Sequence, residues 1–407
     1  MEKRARASGG TGGPPVAAGG PPEAFSRSEP KRRSAHRGCR PEGRCPTRAA
    51  SANGQAARST RCSDYPLAKR TVRENSPAPT PPARMIIDCH NHIGADLMFF
   101  LRGDFPYAQH LVAMTSEGRA LGVDRWIVFP FVTNLSLDIG AMRRGELVSG
   151  GLEKVPYAFE NRRLLHEVNE LFPEEGKHCL PFMMLDPMRE QSAQIAELRS
   201  LRGEYKFHGL KLQTTILQSF IRTLGEEGRG FIELAAEWDI PFLIHSSVGN
   251  DPWAQASDIL DIAEKFPHVR FCLAHSCRYD RECLDRVNAL PNTWFDCSAH
   301  CIHCDGAVAD LPYIAPRARR FDSDYTNPAR VIADLAAAYP AKFLWGSDSP
   351  FYSYVAMLGT ERIALISTYE KEIAALKANP PEVVDRIANR NTRAWLKLKD
   401  ENILAGK

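Results

Sequence analysis

The sequence lacks three features that would place it in common classes of protein. No apolar run approaches the roughly 18–20 residues needed to cross a bilayer. The 11 cysteines do not follow the spacing of a disulfide framework, and no glycine-rich phosphate loop follows the first apolar strand. These absences argue against a membrane protein, a disulfide-stapled secreted domain and a dinucleotide-binding open sheet. We therefore expect a cytoplasmic protein with reduced thiols.

The first 84 residues also lack apolar periodicity, and Phe25 and Tyr65 are their only aromatic residues. They carry 17 Lys and Arg against 6 Asp and Glu, and this composition predicts a disordered basic extension. Three origins stay open: an arm that binds an acidic partner, a transit peptide, or a segment upstream of the natural start. The third is open because Met85 directly precedes the first strand, so that translation from it would give an intact domain.

Residues 85–407 have 35 basic and 43 acidic residues, a balance that argues against a nucleic-acid-binding surface. Eight strand-like apolar runs alternate with helix-like segments such as 158–172, 255–266 and 327–339. We predict a (β/α)8 TIM barrel over residues 85–407, with one or two further helices near residues 381–400. The eight predicted strands are Ile86–Cys89, Arg125–Phe129, Leu180–Leu185, Gly209–Leu212, Pro241–His245, Val269–His275, Thr293–Cys297 and Lys342–Gly346.

Polar residues with metal-ligating or charged side chains recur where these strands end. In a barrel, the carboxyl ends of all strands open on one face, where active sites of this fold lie. Neutral imidazoles and a carboxylate suit zinc and similar divalent metals. The convergence therefore predicts a metal site, although each residue alone has a structural explanation. The residues are His90 and His92 on strand 1, Lys211 and Gln213 on strand 4, His245 on strand 5, His275 on strand 6 and Asp348 on strand 8.

This set resembles the amidohydrolase superfamily, and it looks most like the branch that includes aminocarboxymuconate-semialdehyde decarboxylase. The resemblance covers about residues 85–400 and concerns the superfamily rather than one reaction. The matching segments are His90-Asn91-His92, Gly209–Leu212, His245, Ala274-His275-Ser276, Gly346–Pro350 and Asn391–Ala394.

The resemblance implies one divalent metal, most simply zinc, with His90, His92, His245 and Asp348 as ligands. It implies that His275 is a catalytic residue, and it leaves Lys211 as a bridge should a second metal be bound. Dimers are common in this branch, so a homodimer is one expected assembly.

The chemistry of the residues agrees with an enzyme that acts on a small molecule. A metal lowers the pKa of a bound water, and a histidine can move the proton, while Asp348 can serve both as ligand and as catalytic group. We expect a hydrolase of a small carboxylate-bearing amide, ester or lactone. The alternative is a non-oxidative decarboxylase of an unsaturated or aromatic acid.

Arg278 and Trp253 are candidate substrate-binding residues. Arg278 lies three residues after His275 and could bind a carboxylate, or could be a surface residue. Trp253 could form a wall of the pocket or pack on the rim of the barrel.

The segment after strand 7 departs from the family pattern. Cys297, His300, Cys301, His303 and Cys304 crowd it, and Cys301 and Cys304 have the C-x2-C spacing of a zinc site. We expect reduced thiols and pocket-lining histidines here rather than a second zinc, because a fourth ligand is not evident.

Overall fold

The computed structural model describes residues 85–398, apart from 133–137, 143, 145, 147, 149, 152 and 359–360. The predicted disordered extension, residues 1–84, lies outside the described residues. The strands are β1 Ile87–Ala95, β2 Ala108–Gln109, β3 Arg125–Pro130, β4 Cys179–Met184, β5 Gly209–Leu212, β6 Phe242–Ile244, β7 Phe271–Leu273, β8 Thr293–Asp296, β9 Phe343–Leu344, β10 Tyr354–Leu358 and β11 Glu361–Leu365.

Helices alternate with most of these strands. The α-helices are α1 Leu97–Arg102, α2 Leu111–Ala120, α3 Ile139–Met142, α4 Ala158–His166, α5 Pro173–Gly176, α6 Gln191–Glu204, α7 Thr214–Leu217, α8 Arg229–Trp238, α9 Ala256–Lys265, α10 Arg281–Ala289, α11 His300–Val308, α12 Pro328–Ala338, α13 Tyr369–Lys377, α14 Pro381–Asp385 and α15 Asn391–Leu396. A 3₁₀ turn spans Ile221–Gly225, and π-helical turns span Glu167–Leu171 and Arg386–Arg390.

Eight strands form a parallel barrel. β1 and β3 to β9 pair in that order. The backbone after β9 returns to β1, because Asp348 N–H donates to His90 O at 2.9 Å and His92 N–H donates to Ser349 O at 2.8 Å. The TIM barrel predicted from the sequence is therefore confirmed. The short strand β2 adds to β1 in an antiparallel manner, and β10 and β11 form a separate antiparallel pair; the sequence analysis predicted neither feature.

Alternating residues of the strands form two apolar layers, as expected for strands that are buried on both faces. On β3, Ile127 and Phe129 belong to one cluster, while Trp126 and Val128 belong to a second cluster that includes buried residues of most of the helices. β4 contributes Phe182 to the first cluster, where it packs against Trp395 of α15 at 5.6 Å between ring centroids. The extra C-terminal helices thus support the barrel and leave its other end for polar side chains. No helix among the described residues is long and apolar enough to cross a membrane.

Candidate active site

The carboxylate of Asp348 meets the two histidines of β1. Asp348 Oδ1 lies 3.2 Å from His90 Nε2 and 3.4 Å from His92 Nε2. All three side chains are buried, yet Asp348 Oδ1 has no hydrogen-bond partner. The backbone of Asp348 adopts a φ of 64°, in the left-handed region, and this conformation belongs to the turn that carries the carboxylate over β1.

The partners of the two imidazoles fix which ring nitrogen carries the proton. His90 Nδ1 lies 2.9 Å from Asp296 Oδ2, and His92 Nδ1 lies 3.3 Å from the Pro130 carbonyl oxygen. Carboxylate and carbonyl oxygens accept hydrogen bonds, so each Nδ1 carries the proton and each Nε2 presents a lone pair.

These atoms have the chemistry of a cation site. Burial lowers the pKa of His90 and lowers that of His92 well below its ordinary value, so both rings are neutral and can act as ligands. Burial also raises the pKa of Asp348 to about 6. Two lone pairs and a carboxylate oxygen that face one another repel unless a cation or a proton lies among them. The donor set therefore fits a divalent metal.

Lys211 supplies the positive charge beside this group in the present structure. Its Nζ donates to His90 Nε2 at 3.0 Å and lies 4.7 Å from the centroid of the Phe129 ring. The side chain is fully buried, and burial lowers its pKa to about 8. Its position next to His90 is compatible with the predicted role as a bridge to a second metal.

His275 and His245 form a hydrogen-bonded row with Arg278. His275 Nδ1 contacts the Ser298 carbonyl oxygen at 3.1 Å, so His275 Nε2 accepts from His245 Nδ1 at 2.9 Å. His245 Nε2 in turn accepts from Arg278 Nη2 at 3.2 Å. Burial lowers the pKa of both histidines well below the ordinary value, so the rings are neutral.

The structure groups the candidate ligands differently from the sequence. Among the described residues, the group with metal-ligating geometry is His90, His275 and Asp348, whose ligand atoms lie within 4.8 Å of one another. Both ring nitrogens of His245 are engaged by protein groups, so ligation by His245 would require Nε2 to exchange Arg278 for a metal. The ligand roles of His90, His92, His245 and Asp348 and the catalytic role of His275 stay predictions.

Arg278 is buried inside the site rather than exposed at a helix start. It is carried by a turn, His275–Tyr279, in which all five residues have φ between 47° and 63°. Left-handed backbone costs L-residues roughly 1–2 kcal/mol each, so a run of five without glycine must be held by its surroundings. Arg278 O accepts from Ala315 N at 3.0 Å and Tyr279 O accepts from Phe321 N at 2.8 Å, and these bonds fix the turn.

All these groups line one cavity of about 300 Å³, in the size range of small-molecule sites. Trp253 is not among its lining residues; the indole packs on Phe220 at 4.4 Å between ring centroids. The polar lining residues are His90, His92, Lys211, Gln213, Thr215, His245, His275, Arg278, His303 and Asp348. The apolar walls comprise Phe99, Val132, Ile216, Ala299, Ile302, Tyr313, Phe351, Tyr354, Ile363 and Leu365.

Asp296 is a site residue that the sequence analysis missed. Besides His90, its carboxylate accepts from His275 N at 3.1 Å and Ser298 N at 2.9 Å. Burial opposes ionisation, but the contacts with His90 and Ser298 hold the pKa of Asp296 below its usual value. Its position at the end of a predicted strand was a usable signal, the same one that selected His275.

The cysteines after β8 do not form a metal group in the part of the chain that the structure describes. Cys297 and Cys304 are buried, Cys301 is half-buried, and burial raises the pKa of each thiol. Of the two neighbouring histidines, His303 lines the cavity, whereas His300 donates from Nε2 to the Pro328 carbonyl oxygen at 2.9 Å.

The fold and this site define a class: a parallel TIM barrel with metal-ligating side chains gathered where its strands end. The family model of the amidohydrolases matches residues 87–398, and the chain belongs to that family. No curated protein matches the sequence.

Solved structures with a similar fold include members with different activities. An amidohydrolase from Burkholderia multivorans with bound HEPES is 13% identical, with a TM-score of 0.50, over 77% of this chain and 100% of that one. A dihydroxybenzoic acid decarboxylase from Polaromonas sp. JS666, solved with manganese and an inhibitor, is 12% identical (TM-score 0.49; 79% of this chain, 100% of that one). A dihydroorotase from Campylobacter jejuni is 15% identical (TM-score 0.45; 77% and 83%). At these identities the likeness concerns the fold alone.

Proposed function

We propose that this chain is a metal-dependent hydrolase of a small carboxylate-bearing amide, ester or lactone. One observation carries the proposal: the buried Asp348 Oδ1 has no hydrogen-bond partner and lies 3.2 Å from His90 Nε2 and 3.4 Å from His92 Nε2. A divalent cation held by these residues, with His245 as the fourth predicted ligand, would supply Lewis acidity and a water of lowered pKa.

The side chains around this position can move the proton that hydrolysis requires. Asp348 would accept a proton from the attacking water through a carboxylate oxygen. His275 Nδ1 already carries a proton, which it donates to the Ser298 carbonyl oxygen, and it lies 3.8 Å from Asp348 Oδ2. His275 would give this proton to the leaving group, and the proton that Asp348 took from water would then replace it. Asp296 holds both His90 and His275 in position, because its carboxylate contacts His90 Nδ1 and the backbone N–H of His275.

The second candidate is non-oxidative decarboxylation of an unsaturated or aromatic acid. The observation that favours it is the aromatic wall beside His92, where the Phe351 ring lies 4.9 Å from the imidazole and 5.9 Å from the Phe99 ring. Such a wall can hold a flat, unsaturated substrate at the ligand end of the cavity.

The test supplies zinc or manganese to the full chain and screens two compound panels. Esters, lactones and amides are followed by acid release, and unsaturated and aromatic acids are followed by carbon dioxide release. We expect turnover in the first panel that is lost in Asp348→Asn and retained in Asp261→Asn, a carboxylate on an exposed helix face. Carbon dioxide release without turnover in the first panel would establish the second candidate, and turnover that survives Asp348→Asn would contradict both.

A further inference from the structure

The Arg278 guanidinium is a buried cation without an anionic partner. Its three hydrogen bonds go to neutral acceptors, the Ser246 carbonyl oxygen, His245 Nε2 and His303 Nε2. No carboxylate in the described part of the chain forms an ion pair with it. A buried charge left in this state is unfavourable, and an anion that entered the cavity would compensate it.

The donors of Arg278 leave room for such an anion. A guanidinium carries five N–H groups, and the three contacts use the Nε–H and one N–H from each terminal nitrogen. Nη1 and Nη2 therefore each keep one further N–H. Two N–H groups on neighbouring nitrogens match the two oxygens of a carboxylate.

His303 and Tyr313 hold the guanidinium in place. His303 Nε2 accepts from Nη1, and the Tyr313 ring lies 5.7 Å from Arg278 Cζ. Both residues line the cavity, and His303 is on α11, which follows the next strand of the barrel. The left-handed turn fixes the arginine from the backbone side, so the cation is pre-organised before any ligand binds.

Arg278 and Asp348 mark two separate ends of the cavity. Arg278 contacts His245, whose ring centroid is 4.7 Å from that of His275, and the His275 ring is 5.4 Å from that of His90. Two imidazoles, those of His245 and His275, therefore lie between the guanidinium and Asp348, since His275 Nδ1 is 3.8 Å from Asp348 Oδ2. A carboxylate bound at Arg278 would not be the group that reacts at Asp348.

We infer that Arg278 and His303 form a carboxylate subsite that anchors the substrate by a group which does not react. This inference rests on the proposed function and specifies its substrate class. The substrate is a small acid with an apolar body, whose carboxylate binds Arg278 while its amide, ester or lactone carbonyl lies near His90, His92 and Asp348. The apolar walls of the cavity would cover the body between the two ends.

The test compares two probes of the same shape, 3-phenylpropionate and the uncharged 3-phenylpropanamide. Binding to the full chain is measured by titration calorimetry, with metal removed by a chelator and again with zinc. We expect the wild-type chain to bind the carboxylate at least ten times more tightly than the amide in both states. Arg278 is not a predicted metal ligand, and a metal that took His245 Nε2 would free one further N–H of Arg278 for the carboxylate. Equal binding of the two probes, or no binding of the carboxylate, would overturn the inference.

Variants of Arg278 and His303 test whether these residues bind the carboxylate. Arg278→Gln should weaken carboxylate binding at least tenfold and leave amide binding unchanged, and Arg278→Lys should fall between because an ammonium lacks the forked donors. His303→Gln should weaken binding by a few-fold. The matched control is Arg281→Gln, since Arg281 is exposed three residues further on. Should Arg278→Gln fail to fold, the comparison of the two probes on the wild-type chain still tests the carboxylate subsite.

The outcomes separate this inference from the proposed function. A chain that binds 3-phenylpropionate through Arg278 but binds no metal would uphold the subsite and contradict the hydrolase. A carboxylate that binds only with zinc, with equal affinity in Arg278→Gln, would place the carboxylate at the metal and overturn the subsite.

Discussion

Two regions of this barrel contain closely spaced side chains of metal-ligating types, but only one of them lines the cavity. The first is the strand-end group, His90, His92 and Asp348. The second, here called the α11 cluster, is His300, Cys301 and Cys304. On residue types and spacing alone, both regions are candidate zinc sites.

The difference lies in where the polar atoms find partners. In the strand-end group, one nitrogen of each histidine is held by a protein acceptor, and the other faces Asp348 Oδ1 in the cavity. In the α11 cluster, His300 bonds the Pro328 carbonyl oxygen, and Cys304 Sγ lies 3.4 Å from the hydroxyl of Tyr279. A candidate metal site is therefore recognised by ligand atoms that converge on a cavity rather than by residue types alone.

The largest expected effect is on metal affinity in the strand-end group. His90→Ala removes a ligand, and we expect zinc affinity to fall by roughly 1,000-fold or more, since the loss of an outer-shell partner alone costs about 10–100-fold. Competition with a chromophoric chelator measures it. His300→Ala, the matched change in the α11 cluster, should leave the affinity unchanged. A similar loss of zinc affinity in both variants would contradict the difference between the two regions.

The next largest effect is expected on folding stability, through Glu372 of α13, which contacts the backbone of α11 at Cys301. Glu372 is buried, its carboxylate accepts from Cys301 N at 3.2 Å and Ser367 Oγ at 2.9 Å, and burial raises its pKa to about 7. This group's contribution to folding stability is full below its ordinary pKa of about 4.5 and is lost as the pH rises through 7.

Glu372→Gln removes this titration. The free energy of unfolding of wild type minus that of the variant should be larger at pH 5 than at pH 8, by about 3 kcal/mol at most. Urea unfolding at the two pH values measures the difference. A difference that is the same at both pH values, or larger at pH 8, would show that Glu372 does not titrate in this range.

A smaller effect on zinc affinity is expected from Asp296, the hydrogen-bond partner of the predicted ligand His90. Asp296→Asn keeps the shape of the side chain but weakens its hold on the His90 Nδ1 proton, so zinc affinity should fall about 10–100-fold. The same chelator competition applies, with Asp261→Asn as the exposed control. Unchanged affinity would mean that the His90 ring is oriented by its packing on Phe129.

The smallest effect is expected from the thiols. The double change Cys301→Ser and Cys304→Ser should leave the metal content unchanged and should alter the free energy of unfolding by about 1–2 kcal/mol or less, because polar partners remain for both hydroxyls. Plasma mass spectrometry and urea unfolding check the two expectations. Loss of one metal per chain would reveal a second site.

The sequence predicts the barrel well because apolar periodicity is local, and all eight strands lie where apolar runs occur. The same rule brings His90, His92, His275 and Asp348 together on one face of the barrel. His275 and Asp348 follow their strands, whereas His90 and His92 lie within β1, which extends to Ala95 instead of ending at Cys89 as predicted. The pattern of strands cannot assign the hydrogen-bond partners of these residues. The Arg278–His245 contact and the Asp296–His90 contact join residues far apart in the chain.

The left-handed turn at His275–Tyr279 was also beyond sequence reasoning. None of its residues is glycine, so the local sequence does not indicate a positive φ. It exists because bonds to Ala315 and Phe321 hold it, and it is the reason that Arg278 points into the site instead of lying at a helix surface.

The most direct test of the central claim is the metal content of the full chain after incubation with zinc and removal of excess ion. Wild type is measured beside Asp348→Asn, whose amide can donate to the histidine lone pairs and so replaces the cation. We expect about one metal per wild-type chain and none in the variant. Two per wild-type chain would bring in Lys211 as a bridge. A wild-type chain that stays metal-free, or a variant that keeps its metal, would contradict the account.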